Sequence, residues 1–275
     1  MNNSIERDKK IFAEINKAFT LQSVNYDNYD KENPTLTWMR MQVRKHALKF
    51  FRPKDKILEL NSGTGLDAVF FAEKGFDVHC TDLSDGMIEQ IKKKVERLTL
   101  PAKLTFQQCS FTELDKIGNK KFDFIFSNFG GLNCTPDLKE ITKFFPTLLN
   151  KSGRICFVIL PPVCPWEIIQ ILRGKFSFAF RRFKSGGTLA NVEGIKFKTY
   201  YFSAKKVMNA LGPSFKLLQL ESLCLFTPIP QMEKIPKRFP HIAKVLNKMD
   251  DIFSRIFPFN RIGDHIIITA EYLGK

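Results

Sequence analysis

Apolar positions along the chain follow two different periods. Ile11, Phe12, Ile15 and Phe19 recur at helical spacing and predict a helix over residues 5–20. The polar stretch that follows, with Tyr26 and Tyr29, reads as a loop. Leu36, Met39, Val43, Ala47 and Phe50 then form one face of a second helix. Asn33 is its N-cap, Pro34 its first residue, and Pro53 ends it. From Lys56 the pattern shortens. Apolar runs of strand length predict strands at 56–60, 76–81, 103–107, 122–127 and 154–160. Helices separate them at 66–74, from an N-cap at Ser84 to Leu98, and from Thr135-Pro136 to Leu149. Such alternation predicts a parallel sheet covered on both faces. Right-handed crossovers then bring every strand's C-terminal end to one edge, where ligands bind.

Pro161-Pro162 interrupts this pattern. A helix from Pro165 to Leu172, an aromatic and basic run at 176–183 and hairpin-like alternation over 188–202 predict an insertion, followed by a helix at 203–211. Strand character returns at 215–226, a basic helical stretch covers 240–256, and a last strand runs from Asp264 to Glu271. The predicted organisation is an N-terminal helical cap (1–52), a cofactor-binding half of a Rossmann-like α/β core (53–160), a substrate lid (161–213), and the last two strands with a basic helix (214–275).

The chemistry concentrates at the first strand-to-helix turn, Glu59-Leu60-Asn61-Ser62-Gly63-Thr64-Gly65. Glycines there let a ligand lie against the backbone, and the following helix points its positive dipole end at it. Asp82 ends the next strand, at the distance where a carboxylate holds ribose hydroxyls. Gly63-x-Gly65-x-x-Ala68 with Asp82 fits a dinucleotide site, so a nicotinamide cofactor remains open on these residues alone.

The surrounding motifs are similar to those of the class I S-adenosylmethionine-dependent methyltransferases, over about residues 50–275. Residues 57–65 resemble that family's first motif, Thr81 to Met87 the second, Phe122 to Phe129 the fourth, and Ser152 to Phe157 the turn into strand five. The resemblance implies a seven-stranded, mostly parallel sheet whose last strand is antiparallel, with S-adenosyl-L-methionine as cofactor. It implies that Glu59, Asn61, Gly63 and Gly65 receive the methionine tail and that Asp82 grips the ribose. Leu83 and Met87 would then pack by the adenine, Ser110 and Phe111 would contact it, and Asn128 and Phe129 would close the site. Two departures stand out. The adenine contact after strand three is usually acidic and here reads Gln108-Cys109-Ser110-Phe111. The loop after strand four is Asn-Phe-Gly-Gly, not the N-P-P-Y of base N-methylation.

An antiparallel last strand begins on the ligand edge, which makes His265 the candidate base, oriented by Asp264. Tyr26, Tyr29, Asn133, Trp166, Arg181 and Arg182 are the candidate acceptor contacts. The arginines suit a carboxylate or phosphate and the aromatics an apolar body.

Charge adds one constraint. The net +15 is uneven: residues 139–275 carry 22 basic and 9 acidic side chains, whereas residues 61–138 carry 9 and 11. An anionic acceptor, an anionic membrane surface or nucleic acid would each suit the second half. The missing N-P-P-Y loop and the absence of a recognisable RNA-binding module speak against nucleic acid. The expected partner is a small-molecule acceptor, apolar or anionic. Peripheral membrane contact through 176–183 and 234–257 is a further expectation. A catalytically silent scaffold of the same fold is the remaining alternative. Six scattered cysteines and four unclustered histidines signal no metal, and with no signal peptide or membrane span they suggest reduced thiols in a cytoplasmic protein. The oligomeric state has no signature in the sequence.

Overall fold

A computed structural model describes residues 2–274, with side chains from residue 11 onward. Three helices come first: α1 (Asn2–Ser23), α2 (Tyr26–Glu32) and α3 (Pro34–Leu48). The core follows as β1 (Lys56–Leu60), α4 (Leu66–Glu73), β2 (Asp77–Asp82), α5 (Asp85–Arg97), β3 (Leu104–Gln108), β4 (Phe122–Ser127), α6 (Lys139–Thr142), α7 (Phe145–Leu148) and β5 (Leu149–Ile159). The insertion holds α8 (Pro165–Ile168), α9 (Phe176–Ala179) and the hairpin β6 (Thr188–Val192) and β7 (Ile195–Thr199). Then come α10 (Ala204–Leu211), β8 (Phe215–Leu223), α11 (Lys234–Arg238), α12 (Pro240–Phe253) and β9 (His265–Tyr272).

The main sheet has the order β3-β2-β1-β4-β5-β9-β8. Every pair is parallel except those of β9, which runs antiparallel to both β5 and β8. Alternate residues of one strand serve opposite faces. Leu58, Ile155 and Phe157 pack under α6, α7 and α10, with Phe145, Val207 and Leu211. Ile57, Phe126 and Cys156 pack under α3 and α4, with Met39, Val43 and Phe71. The hairpin β6–β7 forms a separate two-stranded sheet beside α1. All six cysteines are free.

The tyrosine-bearing stretch expected to be a loop is the helix α2. Its sequence has little helical periodicity. Tertiary contacts hold it instead, chiefly the ion pair of Asp30 with Arg40 at 2.6 Å. The helix expected over 135–149 is two short pieces, α6 and α7. Pro146 cannot donate the hydrogen bond that would join them. The strand after α10 ends at Leu223 rather than 226, and α12 ends at Phe253 rather than 256.

α1 lies across the start of α5. Gly86 makes this approach possible, since a Cβ there would meet the Thr20 carbonyl oxygen at 2.8 Å and Ser23 Oγ at 2.6 Å. Asn16 and Asp85 tie the two helices at 2.9 Å. This packing sets α1 over the ligand edge of the sheet.

Candidate active site

β1 runs into a turn in which Asn61, Gly63 and Gly65 adopt φ of +53°, +55° and +78°. Glycine takes such angles without Cβ strain, whereas Asn61 is an asparagine in the left-handed region. Asp82, at the end of β2, accepts the Gly63 N–H at 2.8 Å and the Ser84 N–H at 2.9 Å. One carboxylate thus fixes the glycine turn and the start of α5. Burial pushes the Asp82 carboxyl up to about 6, against those backbone hydrogen bonds. The loop after β4 rests directly on the turn. A Cβ on Gly131 would fall 2.5 Å from Asn61 Cβ.

Between these pieces lies a cavity of about 110 Å³. Asn61, Gly63, Asp82, Leu83 and Met87 form its floor and one wall; Phe111, Asn128, Phe129, Gly130, Gly131 and Cys134 form the other. Phe12, Ile15 and Phe19 of α1 roof it, and Tyr26 of α2 reaches in beside Gly63. Burial raises the Tyr26 hydroxyl above its usual range although Arg40 pulls the other way, so it stays protonated.

Behind the turn sits a buried charge network. Arg40 joins Asp30 and Asp67, and Arg44 reaches Asp67 at 2.7 Å. Asn128 donates to Asp67 at 2.8 Å and accepts from its neighbour Phe129. The Arg40 guanidinium also lies 4.6 Å from the centre of the Phe129 ring. Burial works against the Asp67 charge, but the two arginines hold its carboxyl below the usual range. Glu59 is different: burial pushes it well above that range and the Asp67 charge adds to the effect. Among the described residues its Oε2 has no hydrogen-bond partner, and neither does Asn61 Oδ1. Asn61 lines the cavity, so its Oδ1 is left for a ligand's donor; Glu59 lies two residues before it on β1 and is not among the lining residues.

Several expected contacts lie elsewhere. Tyr29 is half exposed on the outer side of α2 and is not among the cavity residues. Asn133 is fully buried and already engaged: its Oδ1 accepts the Leu160 N–H at 3.0 Å and its amide donates to Tyr200 O at 2.6 Å. It fastens the β4 loop to the end of β5. Ser110 turns its hydroxyl to Thr112, while Phe111 lines the cavity. Gly65 starts α4 at a φ of +78° and faces Ile91, whose side chain a Cβ there would meet at 3.0 Å. Trp166 is half-buried, packs against the core cluster that includes Cys164 and Cys224, and is not among the cavity residues.

Arg181 and Arg182, expected to meet an anionic acceptor, meet this chain's own carboxylates. Arg181 grips Glu167 with two hydrogen bonds of 2.7 Å. Arg182, 5% exposed, bonds Glu167 at 2.8 Å and Asp264 at 2.7 Å. Cys164 joins the two acids in one buried cluster, whose negative charge these guanidiniums answer. Despite burial, His265 and Arg182 hold the Asp264 carboxyl well below the usual range. His265 Nδ1 stands 3.1 Å from Asp264, without the alignment of a hydrogen bond. Its ring meets Phe129 edge-on at 6.0 Å and does not line the cavity. β9 does begin on the ligand edge, but Phe129 lies between the imidazole and the cavity. The sequence suggested the N-terminal helices as a cap but did not name Phe12, Ile15 and Phe19 as lining, and the pair Arg40 and Asp30 was missed. The α1 stripe was visible, yet nothing in it named its partner.

Residues 57–153 match the family model described as Methyltransferase domain. A protein of Geobacillus sp. (strain WCH70) named as a methyltransferase is 32% identical over 138 residues, which is 48% of this chain and 53% of that protein. The chain spans about half the length, or less, of the curated relatives it matches. Among solved structures, an S-adenosylmethionine-dependent methyltransferase from Listeria monocytogenes aligns with a TM-score of 0.60 at 18% identity, over 85% of this chain and 98% of that one. Another from Clostridium acetobutylicum ATCC 824 aligns with a TM-score of 0.55 at 14% identity, over 90% and 97%. At those identities the likeness is one of fold.

Proposed function

We propose that this chain, which carries a methyltransferase domain on the class I fold, transfers a methyl group from S-adenosylmethionine to a small molecule. The observation that carries the reading is the pairing of Asp82 on the Gly63 backbone with the unpartnered Glu59 Oε2 and Asn61 Oδ1. A nucleoside with an amino-acid tail suits that donor and acceptor set. Asp82 accepts ribose hydroxyls, and Glu59 receives an ammonium group, which would also lower its raised pKa. Leu83, Met87 and Phe111 supply apolar walls for a base.

When bound, the sulfonium supplies a methyl group already activated for displacement. The chain's own task is to hold the acceptor in line with it and exclude water. Phe12, Ile15 and Phe19 close the cavity from above, and Phe129 fixes one side. Among the cavity residues the titratable side chains are Tyr26, Cys134 and Asp82. Burial keeps the Tyr26 hydroxyl protonated and pushes the Cys134 thiol up to about 12. Positioning rather than proton abstraction therefore dominates, and an acceptor that arrives with a free lone pair or a stabilised carbanion fits best. The roof of phenylalanines and the internal pairing of Arg181 and Arg182 favour an apolar body over an anionic one.

S-adenosylhomocysteine at one hundred times its Kd should stabilise the fold by about 2.7 kcal/mol, read as a rise of several degrees in Tm. NADH should give none. Stabilisation by NADH and not by S-adenosylhomocysteine would overturn this reading in favour of a nicotinamide enzyme.

A further inference from the structure

The insertion leaves a surface that the methyl-transfer reading does not use. In residues 169–189, Leu172 is 83% exposed, Phe176 58%, Phe183 53% and Ile169 50%. Phe178, Phe180 and Leu189 are exposed beside them. Apolar exposure this dense in a short segment marks a contact surface rather than scattered surface residues. The same segment contains five lysines and arginines and no carboxylate. Arg173, Lys175 and Lys184 are exposed and make no ion pair among the described residues. Lys198 adds a further charge opposite Leu189 across the hairpin.

The segment is also held firmly. Arg182 ties it to Asp264 at the start of β9, Glu167 ties both arginines to α8, and the Arg181 guanidinium stacks 4.3 Å from the Phe178 ring centre. A broad concavity of about 990 Å³ opens between this segment and Ile229 and Met232.

We propose that this insertion docks the protein on an anionic lipid bilayer. Phenylalanine and leucine tips enter the headgroup–acyl boundary, while Arg173, Lys175 and Lys184 meet the lipid phosphates. Charge complementarity selects this occupant. Among the described residues these cations have no carboxylate partner, so an anionic surface supplies what those residues do not. A nucleic-acid duplex would satisfy the lysines but leave the phenylalanines in water, and single-strand bases stacked on the rings would still leave Ile169, Leu172 and Leu189 there. The proposal stands apart from the methyl-transfer reading, and its test reads binding and not turnover.

The test is co-sedimentation of the full chain with vesicles of phosphatidylcholine, alone or with about one third phosphatidylglycerol. The expected result is binding to the anionic vesicles only, weakening as salt rises from about 0.05 to 0.5 M because the Debye length shrinks. The double variant Phe176→Ser/Phe183→Ser should lose about tenfold in vesicle affinity, as should Lys175→Glu/Lys184→Glu. Both should keep the parent's melting curve, which separates lost docking from lost fold. The variant Ile242→Ser/Val245→Ser alters two exposed positions on α12, in the second stretch that the sequence suggested for membrane contact, and should bind like the parent because docking rests on the insertion alone. No binding to anionic vesicles at low salt overturns the proposal. So does equal loss in the α12 variant, or a dimer that light scattering shows the phenylalanine variant to disperse without any vesicle binding.

Discussion

Asp82 holds the structure with both its oxygens, and in the proposed reading the same two oxygens take the ribose. In the free protein it holds the Gly63 and Ser84 N–H groups, and burial lifts its carboxyl to about 6. A ribose adds donors that favour the ionised form. Affinity for S-adenosylhomocysteine should therefore fall as pH drops through about 6. The free protein responds in the opposite sense. A carboxyl raised above its ordinary 3.8 favours the folded state when protonated, so this group's contribution to stability declines as pH rises from 3.8 to about 6. Asp82→Asn should weaken binding at least tenfold, corresponding to about 1.5–3 kcal/mol, and flatten its pH dependence in a calorimetric titration. Undiminished affinity would make Asp82 purely structural. Gly63 and Asp82 were readable from spacing because both belong to one strand–turn–helix–strand unit. Arg181 and Arg182 were not. Sequence marks a charge but not its partner, and here the partners are Glu167 and, 82 residues beyond Arg182, Asp264.

At the level of elements, one buried side chain ties two of the N-terminal helices to the core. Arg40 on α3 carries Asp30 of α2 on one side and Asp67 of α4 on the other, with all three buried. Arg40→Met would strand two carboxylates. It should destabilise the fold by about 3–5 kcal/mol in urea titrations, far more than loss of an exposed pair. A loss below 1 kcal/mol, roughly the worth of a surface pair, would show that water reaches this network. None of it was legible as a network. Asp30 lay in a stretch without helical periodicity, and nothing in the sequence around Asp67 marked the two arginines that hold it. α1 shows the opposite case. Its stripe predicted the helix correctly, and Gly86 was the only mark in α5 of where the helix would land. Pro146 was equally visible, and weighing its missing N–H would have divided the helix over 135–149.

The whole molecule follows the alternation of strand and helix closely, because parallel strands buried on both faces leave unbroken apolar runs that any reading detects. The antiparallel last strand came from the family resemblance, not from periodicity. What the sequence concealed were long-range ties such as that of His46 on α3. This histidine reaches Glu221 on β8 and Thr269 on β9, each at 2.8 Å. Burial works against the Glu221 charge, but the His46 hydrogen bond and nearby positive charges hold its carboxyl down at about 2. A depressed carboxyl stabilises the fold above its ordinary 4.5, and that contribution is lost as pH falls from there toward 2. Glu221→Gln should flatten this part of the curve of Tm against pH; an unchanged acid slope would locate the sensitivity elsewhere. The position of β9 has a further consequence. In the sheet β8 pairs with β9 alone, and β9 also covers the open side of β5. Translation delivers β8, α11 and α12 before β9. Until β9 leaves the ribosome, β5 and β8 each present a strand edge that awaits it, and the sheet is closed by insertion of its penultimate strand rather than by addition at its rim.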